Sequence, residues 1–213
     1  MLKTKNLGLL ALVLALTAGG GCIFSPGDDT GCTDCPPPDT GLPFPDSPDQ
    51  LMENFQTIYE QMDYLEYVKM VHPDYIMILK DTTYNEFPDV GTTLDVSEEL
   101  RIHERMFSKQ DLTDPEGTLV PGVQTIQFQT FTRQGVWSRS PSNDQIPNAD
   151  FALYEVVFLF DRGQEYSTLK VQGSIKFYVT HRDSLVSGVT KPYYQMYGQI
   201  DLTQDTPTSG ASI

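Results

Sequence analysis

The sequence predicts an α+β domain, with early helices packed on one face of an antiparallel sheet, and three observations predict it. Leu51, Phe55, Ile58, Met62 and Leu65 recur at alternating steps of four and three, the stripe of an amphipathic helix. Leu169, Val171, Gly173, Ile175, Phe177 and Val179 alternate with Lys170, Gln172, Ser174, Lys176, Tyr178 and Thr180, the period of a strand with one wet face. Helical patterns come early and strand patterns late, which is the order of an α+β chain.

The 213 residues, 39% hydrophobic with 11 Tyr and 11 Phe, suffice for one core of ordinary size plus a linker. A formal charge of −15 excludes the basic surface that nucleic acid requires, and it offers nothing to anionic lipid headgroups.

Residues 1–21 read as a leader. MLKTK is a basic start, and LGLLALVLAL (7–16) is an apolar run too short for a spanning helix of about 20 residues but right for a secretory signal. The small residues TAGGG (17–21) lead to Cys22, and the whole resembles a bacterial lipoprotein signal, with Gly19 where such signals usually carry Leu. The resemblance implies an acylated Cys22 and a membrane anchor in the cell envelope. Ile23 rather than Asp after the Cys favours the outer membrane. The other reading is an ordinary secretory signal cleaved nearby.

Residues 22–46 are rich in Pro, Asp, Gly and Thr and read as a tether. Cys32 and Cys35 form a CxxC ahead of Pro36-Pro37-Pro38, not at a helix start after a buried strand as a redox site needs. A local disulfide is expected in an oxidising envelope, with free thiols or adventitious metal as the alternatives. Asp-Thr-Gly at 29–31 and 39–41 is an aspartic-protease tripeptide, but both copies lie in the tether and are set aside.

The domain is predicted over 47–205, followed by a polar tail, 206–213. Ser47, Pro48 and Gln50 make a helix start with a capping box. Asp63 with Glu66 allows a second short helix through Val71, with a bend at Met62-Asp63. Pro73 stops the helix, His72 is pushed from helical geometry by the proline that follows, and Tyr75–Leu79 reads as a strand. After a polar loop from Asp81 to Thr93, Asp95 or Ser97 opens a helix with Val96, Leu100, His103 and Phe107 on one face. Strands follow over Gln124–Arg133, where Phe131 breaks the period, then Phe151–Phe160, Leu169–Thr180 and Tyr194–Leu202. Asp161–Gln164 is the turn between the second and third of these.

This order, with the segment SPDQLMENFQTIYEQMDYLEYVKMVHPDYIMIL, resembles the nuclear transport factor 2-like (SnoaL-like) superfamily. The shared features are an opening helix with Tyr59, the Asp63–Tyr67 turn, the His72–Tyr75 exit into the first strand, and SEELRIHERMF as a third helix. The resemblance covers about 47 to 203. It implies a curved antiparallel sheet wrapped around the N-terminal helices, a cone with an apolar pocket, and a tendency of such sheets to pair as homodimers. Lining residues would be Phe55, Tyr59, Leu100, His103, Phe107, Ile175 and Phe177.

Members of that superfamily include isomerases, dehydratases and hydrolases, and also domains without catalysis. The acid–base candidates are Tyr59, His103, Tyr154, Glu155, His181 and Asp183. His103 stands out, because an imidazole in an apolar pocket beside a carboxylate makes a general base; the alternative is a core His bonded to backbone. Trp137 either lines the mouth or covers the core. His72-Pro73-Asp74 is also the J-domain tripeptide, but a strand follows it at once and the helix before it is acidic, so it reads as a structural corner. No phosphate loop appears, the three His have no metal spacing, and no cofactor is expected. The expected function is an envelope lipoprotein whose domain binds a small apolar ligand or a protein without catalysis; the alternative is a SnoaL-like enzyme.

Overall fold

The computed structural model describes residues 41–79, 91–113, 117–202 and 204–207. The leader, Cys22, Cys32, Cys35, most of the tether, most of the 81–93 loop and the end of the polar tail lie outside the described residues. The helices are α1 (Pro48–Gln61), α2 (Tyr64–Met70) and α3 (Val96–Phe107). The strands are β1 (Val71–Ile78), β2 (Thr93–Asp95), β3 (Leu112–Thr113), β4 (Leu119–Val120), β5 (Thr125–Arg139), β6 (Asp150–Asp161), β7 (Leu169–Val186), β8 (Val189–Asp201) and β9 (Gln204–Pro207).

Local chemistry accounts for the helix ends. The Ser47 hydroxyl accepts the Gln50 N–H at 3.2 Å, and Pro48 supplies a pre-set φ where no N–H is needed. The Gln50 amide does not close the predicted box but donates to Glu53 and Asn54. Met62, at φ 56°, turns α1 off in the left-handed region, and the Asp63 carboxylate accepts the Glu66 N–H at 3.1 Å to open α2. The bend therefore falls at Met62-Asp63. Asp95, not Ser97, caps α3 through a reciprocal box with Glu98.

Among the described residues, seven strands form one sheet in the order β2-β1-β8-β7-β6-β5, with β9 continuing the pairing on β7; β3 and β4 pair separately. The expected antiparallel sheet needs correcting at one place. β1 runs parallel to β8, from Val71 opposite Met196 to Ile78 opposite Ile200, so the sheet is mixed. Most of the chain separates these two strands, so no tight turn dictates their relative sense. β1 also begins earlier than expected, taking in His72, Pro73 and Asp74. The ladder skips them between Val71 and Ile76, because Pro73 has no N–H to give.

The broken period at Phe131 has a structural cause. The β5–β6 register slips between Phe128 and Thr130, so Phe128 and Phe131 both turn to the core and their rings meet edge to face at 5.1 Å. β5 runs well past Arg133, through Trp137, over a second irregularity between Gln134 and Ser138.

The main core lies between the helices and one face of the sheet, where Leu51, Phe55 and Tyr67 meet Val156, Phe177 and Val179. The opposite face is not uniformly wet. Residues 140–149 cross it as a strap, and Ile146, Ala149 and Tyr178 form a second small core there. Tyr178, expected on the solvent side of its strand, is fully buried for this reason. Gly198 permits the strap's approach: a Cβ there would stand 2.6 Å from the Ile146 Cδ1 and from the Ile76 carbonyl oxygen. The last residues of the predicted tether also lie against the domain. The Pro45 carbonyl accepts the Tyr194 N–H at 2.9 Å, and the Pro43 carbonyl accepts from Asn54 Nδ2 at 2.7 Å.

Candidate functional site

The described part of the chain buries few polar side chains, and two of them, Glu99 and His103, sit one turn apart on α3. That spacing places them on one helical face, pointing at the sheet. Three tyrosines from three other elements close around them. The Tyr67 hydroxyl of α2 donates to Glu99 Oε1 at 2.7 Å, and the Tyr75 hydroxyl of β1 donates to the same oxygen at 3.3 Å. The Tyr59 hydroxyl of α1 bonds His103 Nε2.

The histidine's tautomer follows from its neighbours. Nδ1 faces the Glu99 carbonyl oxygen at 3.0 Å and Glu99 Oε1 at 3.4 Å, both acceptors. Nδ1 therefore carries the proton, and Nε2 accepts from Tyr59. The Tyr67 ring stacks on the imidazole with centroids 4.0 Å apart. Burial holds His103 below the usual histidine range, against an opposing pull from Glu99, so the ring is neutral near pH 7. Burial also pushes the Tyr59, Tyr67 and Tyr75 hydroxyls well above the usual tyrosine range; charge on Glu99 adds to this in each case. All three remain protonated donors.

Beside this cluster lies a cavity of about 230 Å³. Most of its wall is carbon, including Met77, Leu94, Met106 and Phe160, and its polar wall comes from Tyr59, Glu99, His103, Gln199 and Asp201. Of the seven residues expected to line a pocket, Phe55, Tyr59, His103 and Ile175 do so. Phe107 and Phe177 lie in the packed core and Leu100 packs against it, because α3 turns its Glu99–His103 edge, not its Leu100 edge, towards the opening.

The other candidates are dispersed. Tyr154 is buried in the core against Phe131 and Phe177, its hydroxyl pushed up by burial. Glu155 is exposed and accepts from Gln134 at 3.2 Å. His181 and Asp183 are exposed on the β7–β8 hairpin, with the His181 ring against Tyr194. Asp74 is exposed and its N–H donates to His72 Nδ1, a local corner. Trp137 donates from Nε1 to Asp49 at 2.8 Å and packs on the core rim.

Sequence reasoning missed Glu99, Tyr67, Tyr75, Gln199 and Asp201. The Glu99–His103 spacing was a readable signal. The tyrosines and the two β8 residues were not, since only the fold brings them to α3. No group of three or more His, Cys, Asp or Glu able to hold a metal occurs among the described residues.

No protein-family model matches this chain, and no curated protein matches it in sequence. Among solved structures, it is similar to a conserved protein from Planctomyces limnophilus DSM 3776 at 7% identity and TM-score 0.44, covering 74% of this chain and 94% of that one. It is also similar to a putative ketosteroid isomerase from Parabacteroides distasonis ATCC 8503 at 9% identity and TM-score 0.35, covering 78% and 90%. At such identities and overlaps neither protein's activity carries over to this chain.

Proposed function

We propose that this protein is an envelope lipoprotein, anchored through acylated Cys22, whose nuclear transport factor 2-like domain binds one small, largely apolar molecule without converting it. The cavity of about 230 Å³ beside His103 is the observation that carries this reading. It is a half-open, mostly apolar space with a few convergent polar groups, the usual make-up of a small-molecule site. The state of His103 supports binding over catalysis. Both ring nitrogens are engaged inside the protein, so neither presents a free base to a ligand.

Native mass spectrometry of protein extracted from membranes should find the bound molecule, and an Ile175→Trp variant that fills the cavity should lose it. An empty protein that takes up no small apolar molecule would end the reading. The anchor rests on the leader, the small residues before Cys22 and Ile23 after it, which together favour the outer membrane. Mass spectrometry of the membrane fraction should show Cys22 carrying two or three acyl chains; a soluble protein with an unmodified N-terminus would remove the anchor.

One observation favours a second reading, a SnoaL-like isomerase, dehydratase or hydrolase. Glu99, His103 and Tyr59 form a hydrogen-bonded row in the cavity wall, through which a proton taken up at the Tyr59 oxygen can pass to Nε2. Conversion of the recovered molecule by wild type, abolished in Tyr59→Phe, would establish that reading.

A further inference from the structure

We infer that the molecule the cavity takes is a small carboxamide, an amide on an apolar body of one ring or a short alkyl chain, and that Gln199 receives the amide group. This rests on the ligand-binding reading above and goes beyond it in naming the ligand's polar group and the residue that meets it.

The strand itself turns Gln199 towards the cavity. In a regular strand residues two apart share a face, so Met196, in the main core, would take Gly198 and Ile200 with it. The β7–β8 register slips instead. Tyr178 lies opposite Gly198 but Val179 lies opposite Met196, which leaves Tyr197 as an extra residue. Beyond it Gly198 and Ile200 turn to the strap side, and Gln199 turns to the helix-covered side and lines the cavity. Bulges gather beside binding and active sites because they re-aim single side chains in this way.

The carboxamide delivered there is mostly unused. Gln199 is only 7% exposed, and among the described residues its side chain makes one hydrogen bond, from Nε2 to the Met77 sulfur at 3.4 Å. A thioether is a weak acceptor. A second N–H and the carboxamide oxygen have no partner among the described residues. No side-chain oxygen or nitrogen that is sealed from solvent lacks a partner among those residues, so the free oxygen opens on the cavity and not into packed protein.

A free donor and a free acceptor on one group are matched by another amide. The ligand's carbonyl accepts the Gln199 N–H, and the ligand's N–H donates to the Gln199 oxygen. The Tyr59 oxygen, whose proton goes to His103 Nε2, offers a further acceptor in the same wall. A ketone meets only the Gln199 N–H and a hydrocarbon meets neither group, so each strips water from the carboxamide oxygen without replacing it. Sites built to hydrogen-bond a polar group discriminate strongly against analogues that lack it.

Size sets the body. Cavities for drug-sized ligands run from about 300 Å³ upward, whereas an apolar cavity of about 150 Å³ accepts benzene. A space of about 230 Å³ suits a single ring with a short substituent, not a fused-ring body or a long acyl chain. Phe158, Phe160, Val171 and Ile175 supply the carbon surface for that body.

The test uses two molecules of nearly equal shape, 2-phenylacetamide and phenylacetone, in which a methyl group replaces the amide NH2. Each is measured by equilibrium dialysis against the full chain in lipid nanodiscs, with empty nanodiscs as the blank. The amide is expected to bind about tenfold more tightly than the ketone. Gln199→Met keeps the length of the side chain without its amide and should bring the two affinities together, mainly by weakening phenylacetamide. Gln199→Asn, which draws the amide back by one methylene, should lower the preference in the same direction and serves if the Met variant does not fold. Equal binding of amide and ketone by wild type would overturn the amide assignment while the ligand-binding reading stands. A preference that survives in a folded Gln199 variant would overturn the role of Gln199. Retention of neither molecule would overturn both readings, and the wild-type comparison decides the ligand class even if neither variant folds.

Discussion

Both faces of the sheet carry a tyrosine hydroxyl bonded to a carboxylate, and the two pairs do different things. On the helix-covered face Tyr67 donates to Glu99 at 2.7 Å; under the strap Tyr178 donates to Asp144 at 2.6 Å. Asp144 also meets Lys176 at 2.9 Å, and the Lys176 ammonium lies 4.0 Å from the Phe151 ring centroid. Its charge is matched on the spot, at a half-open surface, and the result is a latch that holds the strap down. Burial pushes the Asp144 carboxyl up, but the Tyr178 hydroxyl and Lys176 outweigh that and hold it below the usual range. Among the described residues, no Lys or Arg pairs with Glu99. It is satisfied by hydroxyls and a neutral imidazole, next to a cavity. The same bond is a fastening where Lys176 completes it, and part of a cavity wall where hydroxyls and an imidazole do.

Mutation at the buried pair should have the largest effect. Glu99→Leu leaves the Tyr67 and Tyr75 hydroxyls buried without an acceptor and should cost about 3 kcal/mol in urea unfolding. A loss no greater than that from Asp144→Asn would erase the distinction between the faces. The strap's apolar anchor comes next. Ile146→Ala opens a hole against Gly198 and Tyr178 and should cost about 2 kcal/mol, with faster proteolysis at 140–149 and little change in cavity binding. If ligand affinity fell with it, the two faces would be coupled.

A pH series sharpens the contrast further. The folded protein holds His103 below its ordinary range, so the unfolded chain takes up that proton first, from about pH 6.5 downward. The stability owed to neutral His103 is complete above that pH and declines as pH falls towards the folded-state value. His103→Gln should therefore lose less stability than wild type on going from about pH 7 to 5, by roughly 1 kcal/mol. Parallel curves would place the acid sensitivity elsewhere. The smallest effect belongs to the latch: Asp144→Asn should cost about 1 kcal/mol or less, and less still in high salt.

Much of the fold was legible because it is written in local chemistry. Ser47-Pro48 and Asp95 cap helices wherever they fall, and the alternation from Leu169 to Thr180 makes a strand under any topology. The break at Met62-Asp63 and the stop before Pro73 needed nothing from elsewhere in the chain. His103 was legible as a residue of interest because an imidazole on an apolar helical stripe is anomalous in the sequence itself. What it does was not legible. Its neutral state depends on burial prevailing over the pull of Glu99, and the Tyr59 and Tyr67 rings that pack on it come from other helices.

The sequence by itself determined the helices, the central alternating strand, the turn residues and the acidity of the surface, since each follows from propensity, spacing or composition. Only the tertiary structure decided that β1 lies parallel to β8, that Ile146 and Asp144 cover Tyr178, and that Glu99 and Asp201 face one cavity. Those are contacts between residues far apart in the chain, and residue spacing carries no information about them until the sheet has formed.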